Sequence, residues 1–475
     1  RKPESLVVNA SLTYRKRLKR HFIDALALAE VQEEKFSGFY TTVTNFSSDL
    51  FGFDHLQAGA LRPWEGTNSY YERTRLLSFM GRVNYTLMDR YLFTVLTVNA
   101  RADASSKFGD NHKWGFCPSV SAAWNVTEED FMKRFPLVNN LKVRVGYGLA
   151  GNQSGINSYT TLRLAQPNGV VPVGSAPVVS LCELRNTNPD LKWEVKHNFN
   201  AGFDLALFAN RLLFSVNYYL SKTTDMLYMY NVSVPPFTYN TLVANIGSMR
   251  NSGVEIAVGV TPLKTKDMEL SINANVSFQQ NKLLSLSGVY NGERIAAAEY
   301  KSISSLDGAG FHGGYNHIAY QIVGQPLGVF YLPHSTGLVS DGNGGYKYGV
   351  ADLNGNGISL EDGEDRYIAG QAVPKATVGS NISFRYKDFD LSVQINGAFG
   401  HKIYNGTSLT YMNMGIFPDY NVMKGAPQVN IKDQTATDYW LERGDYVNFD
   451  YITVGWNVPL KNTRYLQSLR LSLTV

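Results

Sequence analysis

The sequence predicts an all-β protein, a transmembrane antiparallel β-barrel, on three observations. Segments of about ten residues alternate strictly between apolar and polar side chains, the pattern of a strand with one greasy and one wet face. The segments come in pairs with short turns inside each pair and long Gly-, Asn-, Tyr- and Pro-rich connections between pairs. No apolar run approaches the roughly 20 residues of a membrane helix. The mean hydropathy of −0.20 is no objection, since only every second residue of a barrel strand meets lipid.

Strand pairs are placed near residues 4–36, 75–103, 117–150, 194–222, 250–281, 374–401 and 445–475, roughly fourteen strands of a meander. The first pair turns at 16–19, where Arg15, Lys16, Arg17, Lys19 and Arg20 read as a solvated turn near lipid headgroups. No broader basic stripe accompanies them, so nucleic acid is not expected as a partner. The second pair turns at 88–90. The third is joined by 127–140, long enough for one helical turn, with Thr127 as N-cap ahead of Glu128, Glu129 and Asp130. In the fourth, Val195, His197, Phe199, Ala201, Phe203, Leu205 and Leu207 alternate with Glu194, Lys196, Asn198, Asn200 and Asp204, and the turn falls at 209–210.

The fifth pair, turning at 262–267, is the clearest: Val254, Ile256, Val258 and Val260 share one face, then Leu270, Ile272, Ala274, Val276 and Phe278, with Ser271, Asn273, Asn275, Ser277 and Gln279 opposite. In the sixth, which turns at 387–388, Leu391, Val393, Ile395 and Phe399 alternate with Ser392, Gln394 and Asn396. The seventh slips phase near Asp450 and Tyr451, which predicts a β-bulge. It turns at 459–465. Aromatics near strand ends, among them Tyr91, Phe93, Trp124, Tyr218, Tyr219, Tyr386, Phe389 and Trp456, suit interface girdles.

The long connections, 37–74, 104–116, 151–193, 223–249, 282–373 and 402–444, all fall on one side of such a sheet. In a barrel of this type that side is extracellular and binds cargo, while the short turns are periplasmic. The loops carry Trp64, Tyr70, Tyr71, Tyr159, Phe237, Tyr239, Phe311, Tyr315, Tyr411, Phe417 and Tyr420 among Asn and Asp residues. Flat rings beside hydrogen-bonding groups suit oligosaccharides and extended peptides alike; the competing reading is that the rings pack the loops together. Trp64, Tyr70, Tyr159, Phe237, Tyr239, Tyr315, Tyr411 and Phe417 are the candidate substrate contacts.

Asp352, Asn354, Asn356, Ile358 and Asp362, with Gly357 at the sharp turn and Ser359 after it, place oxygen ligands at alternate positions as in a Ca²⁺ loop. The apolar residue and the closing acid each come one position early, and Glu361, Glu364 or Asp365 are alternative closing ligands. The other reading is an Asn/Gly turn that caps its own backbone. His312 and His317 lie in no metal-binding spacing. Asn99, Arg101 and Asp103 share one strand face and read as wet lumen lining, not an acid/base pair. Cys117 and Cys182 are read as unpaired thiols; a disulfide would need the loop to fold back over the strand.

With 475 residues, 44% hydrophobic and 18% charged, the chain is neither disordered nor visibly divided into domains. Its start, Arg1, Lys2, Pro3, Glu4, resembles no secretory signal, and part of a longer exported chain is expected.

Six strings occur in the order and spacing of one family: KWGFCPSVSAAW at 113–124, LKVRVGYGLAGNQ at 141–153, NPDLKWE at 188–194, NIGSMRNSGVE at 245–255, GQPLGVFY at 324–331 and LERGDYVNFDYITVGWNVP at 441–459. On these the chain resembles the C-terminal part of the barrel of SusC/RagA-type TonB-dependent outer-membrane transporters. The resemblance implies fourteen strands of a larger barrel of about 22. It implies further strands, a plug and a TonB-contacting segment elsewhere in the parent protein, and a last strand beyond LRLSLTV. It also implies active import of an oligomeric nutrient, oligosaccharide before peptide, with a SusD-like surface lipoprotein, TonB and outer-membrane lipid or lipopolysaccharide as partners, and no enzymatic activity. The loop at 352–362 resembles an Asp/Asn/Gly loop of that family. Two other classes remain beside it: a passive porin or adhesion barrel, which would lack a plug, and a soluble all-β carbohydrate-binding or dockerin-like protein, which would need no detergent.

Overall fold

The computed structural model describes residues 2–48, 50, 52–63, 66–87, 95–174, 176–290, 293–296, 300–306, 317–357, 359, 365–460 and 466–475. Its framework is a 14-stranded antiparallel sheet in sequential order. The strands are β1 (Lys2–Leu18), β2 (His21–Thr41), β3 (Thr67–Leu87), β4 (Val95–Ser105), β5 (Trp114–Asn125), β6 (Val138–Asn152), β7 (Glu194–Leu207), β8 (Leu212–Thr224), β9 (Ser248–Lys264), β10 (Met268–Ser285), β11 (Ala376–Tyr386), β12 (Phe389–Phe399), β13 (Tyr446–Asn457) and β14 (Arg470–Thr474). β1 and β14 stand at the two edges.

Register converts the alternation into two chemically distinct surfaces. Val83, Val98, Val120, Tyr147, Phe199 and Leu220 are successive cross-strand partners, as are Val260, Ile272, Ile382, Val393 and Ile452. One residue along, the other face runs Arg82, Asn99, Ser119, Gly148, Asn198, Ser221, Asn251, Asn281. A slip of one residue in any strand would turn its apolar set into the wet face, so lipid on one side fixes the pairing. The first surface is the lipid side, the second the lumen. At the turn end Phe389 and Trp456 stack on the lipid side, 5.9 Å between centroids with planes 8° apart.

The phase slip in β13 is a bulge: Gln394 faces Tyr451 and Ile395 faces Phe449, so Asp450 is the extra residue. Four expectations need correction. The basic run lies mostly within β1, where Arg15 pairs with Asp24 across the strands at 3.0 Å, and only Lys19 and Arg20 form the turn. β2 and β3 run on into what reads as loop, to Thr41 and from Thr67, because their long cross-strand ladder continues beyond the apolar band. Thr127 caps no helix: it sits inside a 3₁₀ turn, Val126–Glu128, and its hydroxyl takes the Leu141 N–H of β6. A second turn, Asp130–Arg134, follows. Tyr219 points into the lumen, since it neighbours the outward Tyr218. The turn at 88–90 and the aromatics Tyr91 and Phe93 lie outside the described residues.

The connections at the loop end build small sheets and cores of their own. Residues 286–375 and 400–445 share one core: Ile318, Phe330, Leu332 and Tyr348 from the first meet Leu409, Ile431 and Ala436 from the second. A smaller core of Phe108, Ile156, Leu191 and Trp193 binds the connections after β4 and β6. The thiols of Cys117 and Cys182 are unpaired.

Candidate functional site

Two surfaces face the space that a cargo would cross: the inner wall of the sheet and the loop assembly above it. The wall is polar, and two of its charged groups are neutralised by neighbours. Arg101 Nε donates to both Asp103 oxygens at 2.8 and 2.9 Å, and Ser78 Oγ donates to Asp103 Oδ1 at 2.5 Å. A carboxylate so held is no general base. Further along, Arg144 Nη2 donates to Asp204 Oδ1 and to Asn217 Oδ1, both at 2.9 Å, and Ser215 Oγ reaches Asp204 at 2.8 Å.

Glycines set the height of this wall. A Cβ on Gly202 would lie 2.5 Å from Asn217 Oδ1 and from the Val216 carbonyl. On Gly253 it would strike the Tyr219 hydroxyl at 2.6 Å. The Asn217 and Tyr219 side chains thus lie over these glycines. Arg82 Nε, Asn99 Oδ1 and Arg144 Nε are buried within the wall without a hydrogen-bond partner among the described residues.

The loop assembly is held by a charged joint. Asp438 Oδ2 accepts from the Tyr367 hydroxyl at 2.6 Å and pairs with His334 Nδ1 at 2.8 Å, while Oδ1 accepts from the Ser335 N–H at 2.6 Å. Burial opposes ionisation of Asp438, but the hydrogen bonds from Tyr367, Ser335 and His334 outweigh it and hold the carboxyl below its ordinary pKa. Burial, then the hydrogen bond to Asp438 and its charge, push the Tyr367 hydroxyl up to about 12. Trp440 Nε1 donates to the Tyr348 hydroxyl at 2.7 Å within the same core. Sequence reading missed this joint because its members are 71 and 104 positions apart.

The candidate aromatics divide into separate groups. Tyr159 is half-buried, with φ of 60°, and its hydroxyl accepts the Arg73 N–H at 2.8 Å, which pins its loop to β3. Tyr239 binds the Glu183 carbonyl through its hydroxyl, and its N–H donates to Asn186 Oδ1 at 3.1 Å. Phe237 meets Tyr290 at 6.4 Å. Tyr411 ends a short helix, Gly406–Tyr411. Tyr70 lies on the inner face of β3 across Gly38, while Phe417 is 57% exposed. Trp64 and Tyr315 lie outside the described residues. Among the described residues the rest share no common contact.

In the loop at 352–357, Asp352 Oδ1 accepts from the Gly355 N–H at 2.7 Å and Oδ2 from the Gly357 N–H at 2.8 Å. Gly355 and Gly357 have φ of 75° and 81°, conformations only glycine adopts cheaply. Asp365 returns to this loop: Oδ1 accepts from the Leu353 and Asn354 N–H groups at 2.6 and 3.2 Å, and the side chain is 1% exposed. Its Oδ2 is buried and has no partner among the described residues. Ile358 and Asp362 lie outside the described residues. Among the described residues no three His, Cys, Asp or Glu side chains cluster as metal ligands, so the two Asn amides would have to complete any set with Asp352 and Asp365.

A family model described as TonB dependent receptor-like, beta-barrel, matches residues 5–475. TonB-dependent receptor P3 of Formosa agariphila is 30% identical over 474 residues, which cover 94% of this chain and 45% of the relative. SusC of Bacteroides thetaiotaomicron is 28% identical over 401 residues, 82% of this chain and 38% of SusC. The chain thus spans less than half the length of these relatives. Among solved structures, the RagAB peptide transporter matches 99% of this chain and 51% of its own with a TM-score of 0.77 at 20% identity, a likeness of fold.

Proposed function

This chain belongs to the TonB-dependent receptor-like β-barrel family of the bacterial outer membrane, and from that premise we propose that it forms the later strands of a barrel that actively imports an oligomeric nutrient. The observation that carries this reading is the inner wall: polar side chains lie flat over Gly202 and Gly253, and the Asp103 and Asp204 carboxylates are neutralised by Arg101 and Arg144. Such a wall lets a polar chain slide without a deep trap. Oligosaccharide is the first substrate class and peptide the second, the latter being the cargo of the RagAB peptide transporter, whose fold is similar. Tyr70 and Phe417 are the candidate aromatics best placed to meet cargo, the one on the inner face and the other exposed at the loops.

A SusD-like lipoprotein over the loop end, and TonB acting through a segment elsewhere in the parent protein, complete the proposal. Cells that carry the full-length gene are expected to take up labelled oligosaccharides, and to lose that uptake when the TonB-contacting segment is deleted. Uptake that survives the deletion would favour the passive porin.

For the loop at 352–365 we propose a structural Ca²⁺ ion, held by Asp352, Asn354, Asn356 and Asp365. The buried, unpartnered Asp365 Oδ2 supports it, because a lone carboxylate oxygen out of water is costly unless a cation faces it. The ion would stiffen the loop and take no part in chemistry.

A further inference from the structure

The bulge in β13 changes the chemistry of the inner wall as well as its phase. Phe449 and Ile452 face lipid opposite Ile395 and Val393 of β12, so Asp450 and Tyr451 between them both turn to the lumen. There Asp450 sits among amides: Oδ1 accepts from Asn448 Nδ2 at 2.9 Å, and Oδ2 accepts from Asn396 Nδ2. Asn396 Oδ1 takes Gln394 Nε2 at 3.5 Å, and Gln394 Oε1 takes Asn381 Nδ2 at 3.2 Å, which also reaches the Tyr451 hydroxyl at 3.4 Å. The bonds between amides run one way, toward the carboxylate.

Register extends this polar surface over three more strands. Asn273 stands opposite Asn381, and Asn275 opposite Gly379, and both asparagines are exposed. A Cβ on Gly379 would lie 3.0 Å from Asn275 Oδ1 and 3.3 Å from Asn396 Oδ1, so amides of β10 and β12 both lie over the glycine of β11. Toward the turn end the next row is Ser271, Ser383, Ser392 and Thr453, again uncharged. The charges beyond this stretch are matched in pairs, Arg443 with Asp445 at 2.8 Å and Arg470 with Asp390 at 2.5 Å. Among the described residues no cation pairs with Asp450.

We propose that Asp450, Asn448, Asn396, Gln394 and Tyr451 form a subsite for one pyranose ring of an uncharged oligosaccharide. An ionised carboxylate offers about four lone-pair sites, of which Asn448 and Asn396 occupy one each, so two adjacent sugar hydroxyls can still donate to Asp450. A hydroxyl donates and accepts at once, and a neighbouring amide answers both needs. The Tyr451 ring, half-buried in the same face, offers flat apolar surface to the C–H side of the sugar. A uronate or a sulfate would meet a carboxylate with no cation to offset it, and that repulsion sets the selectivity. This inference rests on the import reading and deepens it: the cargo narrows to neutral sugar, and one of its contacts is assigned to the wall.

The test is equilibrium dialysis of the full-length protein in lauryldimethylamine oxide, a detergent without a sugar headgroup. The probes are maltohexaose, cellohexaose, mannohexaose, hexagalacturonic acid and hexalysine. At least one neutral hexasaccharide is expected to bind, and hexagalacturonic acid at least tenfold more weakly. D450N should lower the neutral affinity about tenfold and close the gap to hexagalacturonic acid, a change of selectivity that a merely structural role would not produce. Folding of each variant is checked by its heat-modifiable migration in gels. Should D450N not fold, Y451F, which keeps the ring and removes the hydroxyl, carries the comparison with an expected loss of about threefold. Unchanged affinity in the folded variant, no binding of any neutral probe, or tighter binding of hexagalacturonic acid or hexalysine overturns the proposal. Uptake is not measured here, so a protein that fails this test yet needs its TonB-contacting segment for uptake loses the sugar subsite and keeps the import reading.

Discussion

The Tyr367 hydroxyl donates to Asp438 Oδ2 at 2.6 Å across 71 positions of sequence, and so ties the two longest loops together at a charged joint. Hydrogen bonds to charged groups contribute about 1.5–3 kcal/mol. Tyr367→Phe is expected to lower the local stability of residues 317–357 and 402–444 by that order. Hydrogen exchange would show faster exchange there and unchanged protection in β7–β10; equal loosening of the strands would refute a separate loop core.

The same joint sets a pH window. Asp438 titrates lower in the folded protein than in the unfolded chain, so its contribution is present above about pH 4 and is lost as the pH falls through its folded value. Tyr367, pushed up to about 12, contributes fully below about pH 10 and loses its contribution as the pH rises toward 12. Loop protection should be flat between about pH 5 and 9 and fall on both sides. Asp438→Asn should abolish the acid-side fall.

Adjacent residues of β10 should answer oppositely to one charge. Val276 faces lipid, and Val276→Arg is expected to cost about 2–4 kcal/mol near the bilayer midplane. Asn275 faces the lumen, and Asn275→Arg is expected to cost under about 1 kcal/mol. Refolding titrations of the full-length protein into lipid vesicles measure both. Equal costs would point to a water-soluble sandwich.

Gly202→Ala puts a methyl group 2.5 Å from Asn217 Oδ1 and from the Val216 carbonyl. Overpacking of this kind costs about 1–3 kcal/mol and should also dislodge Asn217 from Arg144. A lowered temperature for the loss of heat-modifiable migration would register it.

If Ca²⁺ sits in the loop at 352–365, Tb³⁺ should bind there with sensitised luminescence, and Asp365→Asn should weaken binding at least tenfold. Chelation should then speed proteolysis within 340–365. Unchanged Tb³⁺ binding by the variant would leave a self-capped turn, a role that the Asp352 bonds to Gly355 and Gly357 already support.

The strands were legible because lipid enforces a rule on every second residue: Val254, Ile256 and Val258 face outward for the same reason that Phe278, Val276 and Ala274 do. The bulge at Asp450 was legible as a phase slip. Thr127 was misread because a competing partner, the Leu141 N–H, comes from a strand that begins later in the chain. Loop aromatics stayed ambiguous for a related reason. Nothing local to Tyr159 or Tyr239 says that one will cap Arg73 and the other lean on Asn186. That Lys222, Arg250 and Lys282 stand opposite one another is invisible until register aligns residues drawn from two hairpins.

The shared core of the two longest loops also bears on inheritance. Leu409 and Ile431 complete a core begun by Leu332 and Tyr348, so a graft of either loop alone would strand half of a hydrophobic interior in water. Exchange of specificity between relatives should therefore proceed by paired recombination, with breakpoints near the ends of β10 and β11 for one loop and of β12 and β13 for the other. Chimeras that carry both segments should assemble, and those that carry one should be degraded.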